Sequence, residues 1–124
     1  MSNRPLTITI TNQINNPQVQ ATFRDISTQH GEPLKIIQGN NPLQPNASDV
    51  LYTTNSNDFA PGPQGTFSYT LPDGSVFEFS YTHPLGMGST LVPCTPPSGY
   101  TYTMTQNNLA HQEASCVIVL SRRA

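Results

Sequence analysis

The segment from Gly62 to Pro84 leaves a chain like this few folds to choose from. Pro72 carries the φ needed at the second position of a type I turn, Asp73 suits the third, and Gly74 can take the left-handed conformation that closes a three-residue bulged hairpin. That connection fixes the register. Leu71 then faces Ser75, Tyr69 faces Phe77 and Phe67 faces Phe79, so four aromatic rings share one face while Thr66, Ser68, Glu78 and Ser80 take the other. A two-residue Asp-Gly turn would set Tyr69 opposite Glu78 and split the aromatic face. The pattern therefore predicts the bulged hairpin with its rings inward.

Similar signals recur along the chain. Leu6 to Thr11 alternates, as do Val19, Ala21 and Phe23, and further strands are expected at Leu34–Ile37, Val50–Thr53, Thr90–Cys94, Tyr100–Met104 and Ser115–Ser121. Twelve prolines and eight glycines fall mostly between these runs, where turns need them. The best helical candidate, Gln106 to Glu113, is short. At 124 residues, with no second composition zone, the chain reads as one domain spanning 1–124. The expected fold is all-β, an antiparallel β-sandwich of about eight to ten short strands.

The hairpin resembles the central hairpin of the actinoporins, the pore-forming toxins of sea anemones. The shared features are the Gly62/Gly65 pair, the mid-strand Tyr69, the Asp73-Gly74 turn, the apolar strand after it and the Thr82-His83-Pro84 ending. Ile8–Asn12 resembles their first core strand, Leu51-Tyr52 the strand before the glycine pair, and Cys116–Ala124 their last strand. The fungal fruit-body lectins share that core, and the aegerolysins share it more distantly. The resemblance implies an actinoporin-like or fungal-lectin-like core and a ligand pocket in which Thr82 and Pro84 match a Ser and a Pro, with Tyr100 or Tyr102 in the place of tyrosines. Rings in such a pocket surround a quaternary ammonium by cation–π attraction. Two departures point away from an actinoporin pore: only five residues precede Leu6, and Leu85–Ser89 replaces the aromatic cluster that follows the proline.

Composition narrows the function. Charged residues make up 10% and the formal net charge is −2, so no basic footprint for nucleic acid or anionic lipid is present. A surface rich in Asn, Gln, Ser and Thr suits neutral ligands. Seven carboxylates and three histidines show no acid–base pairing, nucleophile or metal spacing, so neither catalytic residues nor a metal or cofactor are expected. Cys94 and Cys116 could pair, although two cysteines without an apolar leader are more often free thiols. With no leader and no apolar run of spanning length, synthesis as a soluble cytosolic chain is expected, with release to act outside the cell left open.

These observations assign ligand binding to Thr82, His83, Pro84, Tyr100 and Tyr102, gathered at one end of the sandwich. Three functions compete. The first is a non-enzymatic lectin for a neutral glycan on target cells. The second is a cytolysin that contacts membranes through phosphocholine or sphingolipid headgroups, working as a homo-oligomer or with a partner. The third is a structural or storage protein.

Overall fold

The computed structural model describes residues 5–54, 62–83, 90–107 and 113–123. They form nine strands: β1 Leu6–Asn12, β2 Thr22–His30, β3 Lys35–Gln38, β4 Ser48–Thr53, β5 Gln64–Thr70, β6 Val76–Thr82, β7 Cys94–Thr95, β8 Tyr100–Asn107 and β9 Ala114–Arg122. A five-stranded sheet runs β3-β4-β1-β9-β8 and a four-stranded sheet runs β2-β5-β6-β7. Most neighbours are antiparallel, as expected, but β1 pairs with β9 in parallel, with Ile8 beside Cys116 and Ile10 beside Ile118. The sandwich is therefore mixed. The helix expected from Gln106 is corrected at its start, because Gln106 and Asn107 continue β8 opposite Cys116 and Ser115. Residues 108–112 of that expectation lie outside the described residues.

The β5–β6 hairpin has the predicted register, Phe67 opposite Phe79 and Tyr69 opposite Phe77. The Leu71 N–H donates to Ser75 O at 2.8 Å and the Gly74 N–H to Leu71 O at 3.0 Å, and Gly74 has φ +89°. A Cβ at Gly74 would meet no atom within 4 Å. Gly74→Val should therefore cost about 1–2 kcal/mol from backbone conformation alone, read as a lowered urea midpoint, because β-branched residues resist positive φ. An unchanged midpoint would show the turn able to reshape freely.

Alternating residues of the two sheets meet in one core. Leu6, Ile8 and Ile10 of β1, Leu51 of β4, and Ile118 and Leu120 of β9 are fully buried against Phe67, Tyr69, Phe77 and Phe79. Phe67 and Phe79 stack at 4.7 Å with planes 2° apart, and Tyr69 meets both edge-on. One polar link crosses this core. The Tyr69 hydroxyl donates to Asp49 Oδ2 at 2.9 Å, while the Asn40 N–H donates to Asp49 Oδ1 at 3.0 Å. Burial pushes the Asp49 pKa above the usual carboxylate range, against the pull of these two donors. Cys94 and Cys116 are free, and burial pushes both thiols up to about 12, which keeps them unreactive.

Candidate functional site

β2 pairs with β5 as Arg24 with Ser68 and Ser27 with Thr66, so three steps on β2 answer two on β5. The extra residue makes a β-bulge, within which Asp25 has φ +56°. Aspartate tolerates this left-handed region better than most residues, yet the conformation still has to be held by its surroundings. Ser68 does part of the holding. Its hydroxyl is shared between Arg24 O at 3.2 Å and Asp25 Oδ2 at 3.1 Å. The bulge turns an acidic side chain onto the outer face of the four-stranded sheet, a common use of bulges beside binding sites.

Register carries the pattern across that face. Ser68 lies opposite Glu78 and Glu78 opposite Thr95, while in the next row Thr66 lies opposite Ser80. These residues, with Asp25, Val76 and Pro93, line an open groove of about 420 Å³. Such a volume fits a small ligand or the terminal unit of a larger one. Asp25 and Glu78 stand on strands two apart, so their backbones are separated by roughly 10 Å. Between them lie only hydroxyls, with Val76 and Pro93 supplying apolar contact, and no cationic side chain lines the groove. The arrangement offers carboxylate acceptors, hydroxyl donors and a small apolar surface. Among the described residues, no group of three or more His, Cys, Asp or Glu could hold a metal ion.

Of the residues singled out in the sequence, Tyr100 and His83 lie apart. Tyr100 is buried. Its hydroxyl donates to Asp73 Oδ2 at the hairpin tip at 2.8 Å and accepts from Arg122 Nη1 at 3.1 Å, with the guanidinium 5.2 Å from its ring centre. The Ser75 N–H first, then Tyr100, hold the Asp73 carboxyl below the usual range. The Tyr100 ring also meets Phe77 at 5.8 Å, six residues from His83 along β6 and thus about 20 Å away. Tyr100 and His83 therefore sit at opposite ends of the hairpin. His83 is fully buried, its Nδ1 2.5 Å from Thr90 Oγ1 and its N–H donating to Pro63 O at 2.9 Å. It ties the end of β6 into the core. Pro84 lies outside the described residues.

Thr82 is linked to the surroundings of Tyr102 through Leu91. Thr82 exchanges two backbone hydrogen bonds of 2.9 Å with Leu91, and Leu91, Val92, Pro93, Tyr102, Met104 and Gln106 line an apolar notch of about 230 Å³. Pro93 borders both notch and groove. The two depressions therefore adjoin.

Asp25 was missed as a site residue, although the sequence marks it. Ala21 and Phe23 point inward, so strict alternation would bury Asp25, and a carboxylate at an inward position signals a bulge.

No protein-family model matches the chain, and no curated protein matches its sequence. Solved structures do match in shape. RahU protein, crystallised in complex with a TRIS molecule, superposes with a TM-score of 0.77 at 14% identity, over 98% of this chain and 96% of that one. The lipid binding protein Nakanori gives 0.71 at 12% identity, over 95% and 71%. The lectin XCL of Xerocomus chrysenteron gives 0.61 at 6% identity, over 96% and 99%. The fold is shared with lectin and lipid-binding proteins. At these identities the likeness concerns the fold alone.

Proposed function

We propose that this protein is a non-enzymatic recognition protein whose groove on the β2-β5-β6-β7 sheet binds a neutral glycan. The supporting observation is the bulge that holds Asp25 left-handed against Ser68, with the Thr66, Ser80 and Thr95 hydroxyls and Glu78 spread beside it. Carboxylates accept hydrogen bonds from vicinal sugar hydroxyls, side-chain hydroxyls both give and accept them, and Val76 and Pro93 receive the C–H face of a ring. The lectin XCL and the lipid binding protein Nakanori, which share the fold, support a recognition role.

A second reading has an observation of its own. The apolar notch continues the groove at Pro93, so an amphiphile could place an ammonium-bearing headgroup between Asp25 and Glu78 and its apolar portion along Leu91 and Tyr102. Salt separates the two. A neutral glycan should keep its affinity within about twofold between low and moderate ionic strength, whereas an ammonium held by two carboxylates should lose several-fold.

The test is a glycan array run beside phosphocholine liposomes, followed by calorimetric titration of the best hit. Asp25→Asn should weaken binding at least tenfold with stability unchanged, since asparagine also tolerates positive φ. Glu78→Gln should act in the same direction. Full affinity in both folded variants would place the site elsewhere.

A further inference from the structure

The outer faces of the two sheets differ in kind. On the four-stranded sheet the face carries Asp25 and Glu78. On the five-stranded sheet the outward positions of β4, β1, β9 and β8 carry no charge. One row across them reads Val50, Thr9, Val117, Thr105. The next reads Ser48, Thr11, Val119, Thr103, in which the Thr11 and Ser48 hydroxyls meet at 2.8 Å. Val117 is 38% exposed at the centre of this field. Threonine methyls and valines make the field apolar at close range, and among the described residues the charges stand at its rim, in the exposed Lys35 on β3 beyond Tyr52 and in the exposed Glu113 and Arg123 flanking the two ends of β9.

We propose that this face packs against the same face of a second copy, giving a back-to-back dimer. Three features fit that occupant. A two-fold axis sets a surface against itself, where like charges would repel, and the two central rows of this face carry none. Small β-branched side chains let two sheets approach to the ordinary stacking distance of about 10 Å. The area sets the size class. About a dozen outward side chains cover roughly 400 Å² of sheet plane per copy, about 800 Å² in all, which is the size of a weak, reversible interface. The dimer should be reversible and concentration-dependent.

The geometry has a functional corollary, which rests on the groove being a ligand site. Packing the five-stranded sheets together leaves the two four-stranded sheets outermost, with their grooves facing opposite ways. Such a dimer is bivalent. It can bridge two surfaces where the monomer can only coat one.

Sedimentation equilibrium of the full chain, over roughly 5 to 500 µM, tests the dimer without any ligand. A monomer–dimer equilibrium is expected, weakened at least tenfold by Val117→Lys, a substitution at an exposed position that should leave the monomer folded by circular dichroism. Mixing Val117→Lys with Val117→Glu should restore association, because opposite charges then face each other. A chain that stays monomeric throughout the range, or a dimer indifferent to Val117→Lys, would overturn the proposal. Asp25→Asn should leave the dimer intact, so a failed groove and a failed interface give different results.

Discussion

Replacing Gly65 with alanine should destabilise the protein by about 3 kcal/mol and weaken ligand binding with it. A Cβ at this position would run into the carbonyl oxygen of Ser27 and come within 2.5 Å of the Tyr81 hydroxyl and 2.8 Å of its ring. Neither neighbour can step aside cheaply. Ser27 is backbone in the bulged region of β2, and the Tyr81 ring is fully buried beside Phe67. Overpacking of this kind costs typically 1–3 kcal/mol when side chains give way, and more when backbone must move. Displacing Ser27 also disturbs the bulge that aims Asp25 into the groove. Urea denaturation and titration of the same preparation check both effects; a loss under about 0.5 kcal/mol would show β2 to be freely adjustable.

Asp49→Ala should cost about 2–4 kcal/mol, whereas Asp49→Asn should stay within about 1 kcal/mol of the parent. Alanine leaves the Tyr69 hydroxyl and the Asn40 N–H buried without their acceptor. Asparagine can accept from Asn40 through its oxygen and donate to the Tyr69 oxygen through its amide. The pH dependence separates charge from shape. Because burial raises the folded-state pKa of Asp49 above its unfolded value, the folded state binds more protons in the interval between the two. The stability contributed by Asp49 is thus fully present below the unfolded value near 3.9 and falls as pH rises through the folded value. Asparagine should remove that falling limb. Denaturation midpoints from pH 4 to 8 for parent and Asn variant provide the measurement, and parallel curves would overturn the assignment.

The parts of the fold legible in the sequence are those with local causes. Pro72, Asp73 and Gly74 specify a turn, and the turn specifies the register of Phe67 with Phe79. Strict alternation at Leu6–Thr11 and Ser115–Ser121 gives two strands, but nothing in either run says that they lie side by side in parallel, because that pairing is chosen by the rest of the sheet. Alternation marks β2 only as far as Phe23, since beyond it Arg24, Asp25 and the exposed Ile26 break the pattern. The site suffered for the same reason. Alternation places Ser68 and Glu78 on the outer face, yet the contact of Ser68 with Asp25 depends on a bulge between distant strands. Tyr100 and Tyr102 share a face of β8 as read, but a strand's two ends open onto different surroundings: Tyr100 closes over Asp73 and Phe77, while Tyr102 borders the notch.

The parallel contact between β1 and β9 has a temporal side. β1 lies between β4 and β9, and β8 joins the five-stranded sheet only through β9. Until residues 114–122 are available, β1 has one open flank and β8 has no sheet to join. Contacts that span more than a hundred residues are the slowest to form, because the intervening chain must first be closed into a loop. A shortened chain ending before Ala114 should therefore stall as β3-β4-β1 and the separate hairpin sheet, with the open flank of β1 exposed as a template for aggregation.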